Sequence, residues 1–285
     1  GSIGVIIPPS IPFVIYGVIG NVSVGDMFIA GIIPGLLIGI SLIMTAYIIS
    51  KRRGYKPEDE TEKFSIKDVL VALNDAKWAL LIPVIILGGI YGGIFTPTEA
   101  AVVAVVYAII IGVFVYKELD LKGLYDSFME TIIINATTMI IIGLSVSFAY
   151  FMTIEQIPNQ IAQFLTDLSS NPIVILILIN LLLLVVGMFI DTISAIVILT
   201  PILLPVVMAV GVDPVHFGVI LVANLAIGFV TPPLGVNLFV ASSVGRVRFE
   251  QISLSVIPFI ITMIIALVLI TLIPELSTWL PSLLK

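Results

Sequence analysis

The sequence predicts an all-α polytopic membrane protein, and three observations lead to that prediction. Of its 285 residues, 60% are hydrophobic and only 11% are charged, with a mean hydropathy of +1.26. A soluble domain would carry about 25% charged residues. Apolar stretches long enough to cross the hydrocarbon core, about 20 residues each, recur along the chain. The longest polar stretch, Lys51–Lys77, is too short for a sizeable soluble domain.

Composition also excludes several kinds of site. The chain has no cysteine and one histidine, His216. Disulfides, thiolate metal sites and multi-histidine metal centres are therefore excluded. The net charge of −6 says little about membrane orientation, which follows the placement of Lys and Arg, and nothing in it indicates a nucleic-acid partner. His216, beside Pro214, is expected to be a residue of an interfacial turn rather than a proton relay.

The expected membrane spans follow one another along the whole chain. They are Met27–Ser50, Trp78–Ile94, Pro97–Tyr116, Thr131–Met152 and Ser253–Ile273. The stretch Pro172–Gly211 carries a single charge, Asp191, near its middle. It fits either two spans or a re-entrant hairpin that turns at FIDTISA. Residues 153–171 are expected to be a polar outer segment, and the end of the chain a short tail outside the membrane.

Two short amphipathic helices are expected on the cytoplasmic membrane surface. The first lies within Lys51–Lys77, where Phe64, Val69, Leu70 and Leu73 recur at near-helical spacing. This stretch also holds more than half of the chain's 12 basic residues, which indicates a cytoplasmic location. The second is expected at Leu121–Met129, ahead of the span that begins at Thr131.

The sequence FTPTEA predicts the start of a helix. Thr96 suits the N-cap, Pro97 suits the first helical position, and Glu99 stands three residues after the cap. This spacing is that of a capping box, so a structural role is favoured over a functional one for both Thr96 and Glu99.

One apolar stretch, GFVTPPLGVNLFVA at Gly228–Ala241, cannot be a continuous helix. Pro232 and Pro233 lack an N–H, so in helical geometry the carbonyls of Gly228 and Phe229 lose their partners. In lipid such a break survives only where protein or a polar cavity covers it. The stretch is therefore a candidate binding site.

The start of the chain repeats this pattern. In GSIGVIIPPSIPFVIYG, a shift of 224 residues places Gly4 on Gly228 and the pair Pro8–Pro9 on Pro232–Pro233. The span after the first break ends on Lys-Arg-Arg and is expected to end inside the cell. The span after the second ends almost without charge and is expected to end outside. Two broken helices in inverted repeats are typical of the binding site of a secondary transporter.

Five motifs together resemble the large membrane subunit of TRAP transporters, the tripartite ATP-independent periplasmic carriers, often called DctM. The resemblance runs over essentially the whole chain, and the motifs are GSIGVIIPPSIPFVIYG, GGIFTPTEAAVVAVVYA, GMFIDTISAIVILTPILLPVV, GVDPVHFGVI and NLAIGFVTPPLGVNLFVAS. It implies sodium-driven import of an organic anion, such as a C4-dicarboxylate or sialic acid, across a bacterial or archaeal inner membrane. The implied partners are a small DctQ-like membrane subunit and a DctP-like periplasmic binding protein.

The resemblance also implies an elevator-type transporter with re-entrant hairpins and two discontinuous helices. The second hairpin would occupy about residues 172–211, and the unwound helices Gly1–Gly17 and about residues 217–245. The first hairpin would precede Gly1, so the chain is expected to be a C-terminal fragment. Residues 1–50 would end the first repeat, 51–77 would form a linker, and 78–285 would hold scaffold spans and the second repeat.

The implied site binds sodium, the coupling ion, and no other cofactor is expected. Sodium prefers oxygen ligands, and broken helices supply these without a full charge in lipid. The sodium candidates are Gly4, Val5, Gly228, Thr231 and Asn237. The full set of ion- and substrate-binding candidates is Ser2, Gly4, Val5, Pro8, Pro9, Ser10, Asp191, Thr192, Ser194, Gly228, Phe229, Thr231, Pro232, Pro233, Gly235 and Asn237. Asp191 is interpreted as a residue at the hairpin tip that both caps the following helix and serves the binding site.

Three alternatives come from different classes of protein. A membrane enzyme is disfavoured because the chain has no HExxH, no GxSxG and no acid pair suited to intramembrane proteolysis. An ATP-driven pump would need a P-loop from another subunit, and a channel fits paired broken helices less well. The runner-up is an anion symporter or antiporter of the same architecture that uses no binding protein.

Overall fold

The computed structural model describes residues 1–55, 65–168 and 171–284, and within these ranges the chain is helical without strands. The middle of the expected linker, including Phe64, lies outside the described residues. The helices are α1 (Ser2–Ile6), α2 (Ile11–Gly20), α3 (Val24–Arg53), α4 (Ile66–Tyr91), α5 (Pro97–Ile110), α6 (Leu121–Ile154), α7 (Ile157–Leu168), α8 (Pro172–Phe189), α9 (Thr192–Ala209), α10 (Pro214–Gly228), α11 (Val236–Gly245), α12 (Phe249–Leu272) and α13 (Glu275–Leu283). A π-helical turn, Ile111–Val115, continues α5.

The described residues include 8 helical segments long and apolar enough to cross a membrane. They are α1 with α2, α3, α4, α5 with its π-helical turn, the first part of α6, α8, α9 and α12. Helices α10 and α11 are apolar but shorter. The expected class, an all-α polytopic membrane protein, is confirmed.

The chain divides into two compact units, and the candidate site belongs to the first, Gly1–Ile48 with Thr138–Lys285. Helix α10 lies at the centre of this unit, and every residue from His216 to Gly228 is buried. Helices α1, α2, α8, α9, α12 and α13 pack against it. A helix that is apolar on all sides is one enclosed by other helices, which explains the uniform hydrophobicity of α10.

The second unit, Ile49–Thr137, contains the antiparallel pair α4 and α5. Two tyrosines of the α5 segment hold the pair together: Tyr107 Oη donates to the Trp78 carbonyl at 2.9 Å, and Tyr116 Oη donates to the Asp75 carbonyl at 2.9 Å. The predicted capping box at the start of α5 is confirmed. Glu99 Oε2 accepts from the Thr96 N–H at 2.8 Å, and Thr96 Oγ1 accepts from the Glu99 N–H at 3.3 Å.

Several expected element boundaries are wrong. The amphipathic stretches before Trp78 and Thr131 are not separate helices, because α4 and α6 run through both positions without interruption. No proline stands at either junction to end the helix, so the polar residues there lie on the surface of a longer one. The polar segment 153–171 contains α7, and the tail after residue 273 contains α13.

The same order of elements occurs twice in the first unit. Helices α1, α2 and α3 follow one another as a helix, a break, a short helix and a long helix, and α10, α11 and α12 do the same. Each long helix carries an internal proline at the corresponding place, Pro34 or Pro258. Each break contains a cis peptide bond, at Pro8–Pro9 and at Pro232–Pro233. The repeat read from the sequence thus extends to the secondary structure.

Candidate functional site

The stretch expected to be two spans or a re-entrant hairpin forms α8 and α9, each long and apolar enough to cross a membrane. We call the turn between them, at Ile190 and Asp191, the hairpin tip. Ile190 is extended, and Asp191 is the N-cap of α9. Its Oδ1 accepts from the Ile193 N–H at 2.9 Å, and its Oδ2 accepts from the Ser194 N–H at 3.1 Å and from the Ser194 hydroxyl. The expected capping role of Asp191 is confirmed. The cap thus satisfies the N–H groups of Ile193 and Ser194 where the chain turns into α9.

The first helix break lies between α1 and α2. Pro8 stands four residues after Gly4 and has no N–H, so the Gly4 carbonyl lacks its helical donor. The Val5 carbonyl, a predicted sodium ligand, accepts from the Ser10 hydroxyl and keeps a second lone pair. Ser10 is the N-cap of α2, and its Oγ also accepts from the Phe13 N–H at 3.4 Å. One carbonyl of this break therefore stays available, and one is partnered by a side chain.

The second helix break lies between α10 and α11, and both of its carbonyls are partnered. The Gly228 carbonyl accepts from the Thr231 N–H at 3.0 Å, and the Phe229 carbonyl accepts from the Asn237 N–H at 3.0 Å. The expectation that these carbonyls lose their partners is wrong. A turn just before the prolines supplies the Thr231 N–H, and the start of α11 beyond them supplies the Asn237 N–H. Each carbonyl oxygen still has a second lone pair for a ligand.

Gly187 and Gly228 allow the hairpin to approach the second break. A Cβ built on Gly228 would lie 2.3 Å from the carbonyl oxygen of Gly187 near the end of α8. Real Cβ atoms do not approach backbone oxygen so closely, so the close packing of α8 on α10 at this point requires glycine. Gly235, which closes the break, has φ +47, a left-handed conformation that also favours glycine.

The hairpin tip and both breaks meet at a cavity of about 320 Å³. Six of the predicted site residues line it: Gly4, Val5, Pro9, Asp191, Thr192 and Phe229. Ile11, Pro12 and Ile193 also line it and were not predicted. All three lie within two residues of a predicted one, so the sequence neighbours of a break or hairpin tip are the signal that could have found them.

Thr192 carries the least satisfied polar group at this cavity. Its side chain is 3% exposed, and its Oγ1 has no hydrogen-bond partner among the described residues. A buried hydroxyl without a partner costs free energy, so a ligand that accepts or coordinates it gains that free energy back. Thr192, whose hydroxyl has no partner among the described residues, and Gly4, whose carbonyl lacks its helical donor, thus line the same cavity.

The other predicted residues support the breaks without lining the cavity. Thr231 Oγ1 donates to the Ile227 carbonyl at 2.8 Å. Asn237 lies against Gly1, because a Cβ on Gly1 would fall 2.4 Å from Asn237 Nδ2. Six further predicted residues do not line the cavity: Ser2, Pro8, Ser10, Ser194, Pro232 and Pro233. Gly228 and Gly235 shape the second break as described above.

The placement of His216 differs from the expectation. It lies in the first turn of α10, 1% exposed, and not in an interfacial turn. Pro214 begins the helix instead of preceding it, since proline is well suited to the first helical position, and the N-cap is Asp213. The described residues hold no group of three or more His, Asp or Glu side chains that could bind a metal ion.

Two broken helices and a hairpin tip around one cavity, in a multi-pass α-helical membrane protein, form an arrangement typical of secondary transporters. The model of the family "Tripartite ATP-independent periplasmic transporter, DctM component" matches residues 1–276. The chain therefore belongs to the DctM family, the large permeases of TRAP transporters.

Curated relatives agree with this assignment. The chain is 52% identical over 274 residues to an isethionate TRAP transporter permease of Oleidesulfovibrio alaskensis, covering 96% of this chain and 43% of that protein. It is 44% identical over 282 residues to the sialic acid TRAP large permease of Vibrio cholerae, and 40% identical over 282 residues to the C4-dicarboxylate TRAP large permease of Pseudomonas aeruginosa. Each of these two alignments covers 99% of this chain and 65% of the relative. The chain thus spans less than two thirds of the length of these relatives.

Proposed function

We propose that the chain acts in the large membrane subunit of a TRAP transporter that imports a small organic anion, coupled to sodium, across a bacterial or archaeal inner membrane. A small membrane subunit and a periplasmic binding protein complete the transporter, and the binding protein delivers the anion. Family membership supports the transporter class. The relatives are named for isethionate, sialic acid and C4-dicarboxylates, which are all organic anions.

The observation that carries this proposal is the cavity between the hairpin tip and the two helix breaks. It offers sodium the Thr192 hydroxyl, the Gly4 carbonyl and the second lone pair of the Phe229 carbonyl. Oxygen ligands of this kind suit a hard cation. The Asp191 carboxylate at the same cavity adds negative charge, although its oxygens are already engaged in the cap of α9.

The anion is recognised by a different kind of group. Helix N-termini present N–H groups and the positive end of the helix dipole, which favour a carboxylate or sulfonate. Helices α2, α9 and α11 each begin directly after a break or the hairpin tip. Bound sodium next to these termini strengthens the attraction for the anion.

Transport moves the hairpin and both breaks as one body, as in an elevator mechanism. The mutual packing of α2 on α9, α1 on α10 and α8 on α10 supports this, since these contacts link both breaks to the hairpin. Uptake is driven electrically as well as chemically. One elementary charge that crosses 100 mV contributes about 2.3 kcal/mol, so importing more sodium charge than anion charge favours accumulation.

The test is uptake by the full-length chain reconstituted with its small subunit in proteoliposomes. Labelled isethionate, sialic acid and succinate are each offered with and without an inward sodium gradient, and with and without the binding protein. We expect uptake of one of these anions only when both the sodium gradient and the binding protein are present. Sodium-dependent uptake without the binding protein would indicate a binding-protein-independent symporter, and uptake that ignores both would contradict the proposal.

A further inference from the structure

Three helices of the first unit share a small cluster of buried polar side chains outside the candidate cavity. Asn180 on α8, Asn224 on α10 and Thr271 on α12 are 6%, 0% and 2% exposed. None of them lines the cavity at the hairpin tip. Buried amides in an apolar helix bundle are costly unless they are hydrogen-bonded, so the stability of this cluster depends on the bonds between its members.

The cluster is joined by short side-chain hydrogen bonds. Asn224 Nδ2 donates to Asn180 Oδ1 at 2.7 Å and to the Ile220 carbonyl at 2.8 Å. Asn180 Nδ2 donates in turn to Thr271 Oγ1 at 2.8 Å. The orientation of the Asn224 amide follows from these contacts, because a flipped amide would set its oxygen against two acceptors. Asn224 thus donates to Asn180 and Asn180 donates to Thr271, so the cluster connects α10 to α8 and α8 to α12.

The asparagines lie on the same seam as the glycines that bring the hairpin to the second break. On α8, Asn180 precedes Gly187 by seven residues, which is about two helical turns and about 10 Å along the axis. On α10, Asn224 precedes Gly228 by one turn. Residues at these spacings share one helix face. The amide pair therefore holds the α8–α10 interface whose end carries the hairpin tip.

The two contacts on this seam differ in what they restrict. The glycine contact is one of van der Waals packing and has no preferred direction along the helix axis. The amide bond is directional and weakens steeply when its length or angle changes. A slide of α8 by one residue, about 1.5 Å, would lengthen and bend the bond between Asn180 and Asn224 and so weaken it. The amide bond thus fixes the position, along the helix axis, at which the hairpin tip meets the second break.

We propose that Asn180 and Asn224 are positioning residues for the ion site: their hydrogen bond holds the hairpin tip at the position along the helix axis where Thr192 and Phe229 line one cavity. This inference rests on the proposed sodium coupling. Loss of the bond would let the tip shift along the seam, so the ligands would be less well placed before sodium binds. Sodium would then bind more weakly, although neither asparagine contacts it.

The experiment uses the full-length chain with its small subunit, made free of cysteine, with a single cysteine in place of Ile190 at the hairpin tip. Ile190 is 42% exposed, and the sequence described here contains no cysteine. A water-soluble maleimide labels the cysteine during a sodium titration, and the sodium concentration that gives half-maximal protection is measured. The variants are Asn180→Leu, Asn224→Leu and the double substitution. Asn180→Ser and Asn224→Ser are milder changes that also remove the bond between the two amides, in case the leucine variants fail to insert.

Thr262→Val is the matched control. Thr262 Oγ1 and Thr45 Oγ1 form another side-chain hydrogen bond between two helices, at 2.8 Å, away from the α8–α10 seam. The Thr262→Val substitution removes this interhelical bond and leaves the bond between Asn180 and Asn224 in place. A purely structural role for interhelical hydrogen bonds would give the control and the seam variants similar sodium titrations.

We expect each leucine substitution to raise the half-protecting sodium concentration at least tenfold, the double substitution to add little more, and Thr262→Val to change it less than twofold. The milder variants should raise it about threefold. Unchanged titrations in the seam variants, or an equal shift in the control, would overturn the inference alone. Wild-type labelling that ignores sodium would instead overturn the proposed function, and this inference with it.

Discussion

The carbonyl of Gly187, near the end of α8, lies so close to Gly228 at the end of α10 that any side chain on Gly228 would collide with it. This contact joins the hairpin to the second helix break. Gly228 itself does not line the cavity. Its lack of a side chain allows the two elements to meet.

Gly228→Ala should therefore destabilise the protein by about 1–3 kcal/mol, the usual cost of overpacking a filled interface. The measurement is the thermal unfolding midpoint in detergent. Gly4→Ala is the matched comparison, because Gly4 is the counterpart of Gly228 in the repeat and a Cβ there would meet no atom within 4 Å. Equal midpoints for the two variants would contradict the assigned contact.

Asp191 and Asp213 allow capping to be separated from ion binding. Both are N-caps whose carboxylates accept two backbone N–H groups, at the start of α9 and α10, but only Asp191 lines the candidate cavity. Replacement of either by alanine should cost about 0.5–2 kcal/mol in stability. Only Asp191→Ala should also raise the sodium concentration for half-maximal uptake. If Asp213→Ala raises it equally, the effect belongs to capping alone.

Thr231 should act on the second break through the Ile227 carbonyl, to which its hydroxyl donates. Thr231→Val removes this bond at nearly constant volume, so the sodium concentration for half-maximal uptake should rise several-fold. Thr231→Ser keeps the hydroxyl and should restore most of the wild-type value. A serine variant as impaired as the valine variant would show that the methyl group, and not the hydrogen bond, is what the break requires.

The Thr96–Glu99 capping box should matter for stability and not for transport. Thr96→Ala removes the side-chain cap of α5 and should lower stability by about 0.5–2 kcal/mol. Glu99→Gln retains an acceptor for the Thr96 N–H, so the unfolding midpoint and uptake should stay close to those of the wild type. Loss of uptake in a stable Glu99→Gln protein would instead assign the carboxylate a functional role.

Local chemistry made several features predictable from the sequence. Two adjacent prolines remove two neighbouring N–H groups, so both helix breaks could be located from Pro8–Pro9 and Pro232–Pro233, whereas single prolines such as Pro34 and Pro258 lie inside helices. The Asp191 cap and the Thr96–Glu99 box depend on residues at most three positions apart, and both are confirmed. The class of the protein followed from composition, which is a property of the whole chain.

Features that depend on distant contacts could not be predicted. The carbonyls of Gly228 and Phe229 looked free because helical geometry supplies no donor, whereas the folded-back turn supplies Thr231 and Asn237. His216 looked like a turn residue because it stands beside Pro214, but it lies in the first turn of α10 and is buried. The pairing of Asn180 with Asn224 joins residues 44 positions apart, and no spacing rule indicates it.

Thr192 offers the most direct test of the claim that the hairpin tip and the helix breaks form one sodium site. Thr192→Val removes a buried hydroxyl that has no partner among the described residues, so the variant should unfold at the wild-type temperature or slightly above it. The measurement is saturation binding of radioactive sodium to the purified full-length complex. We expect at least tenfold weaker binding in the variant. Wild-type affinity in a stably folded Thr192→Val protein, or no saturable binding in the wild type, would contradict the claim.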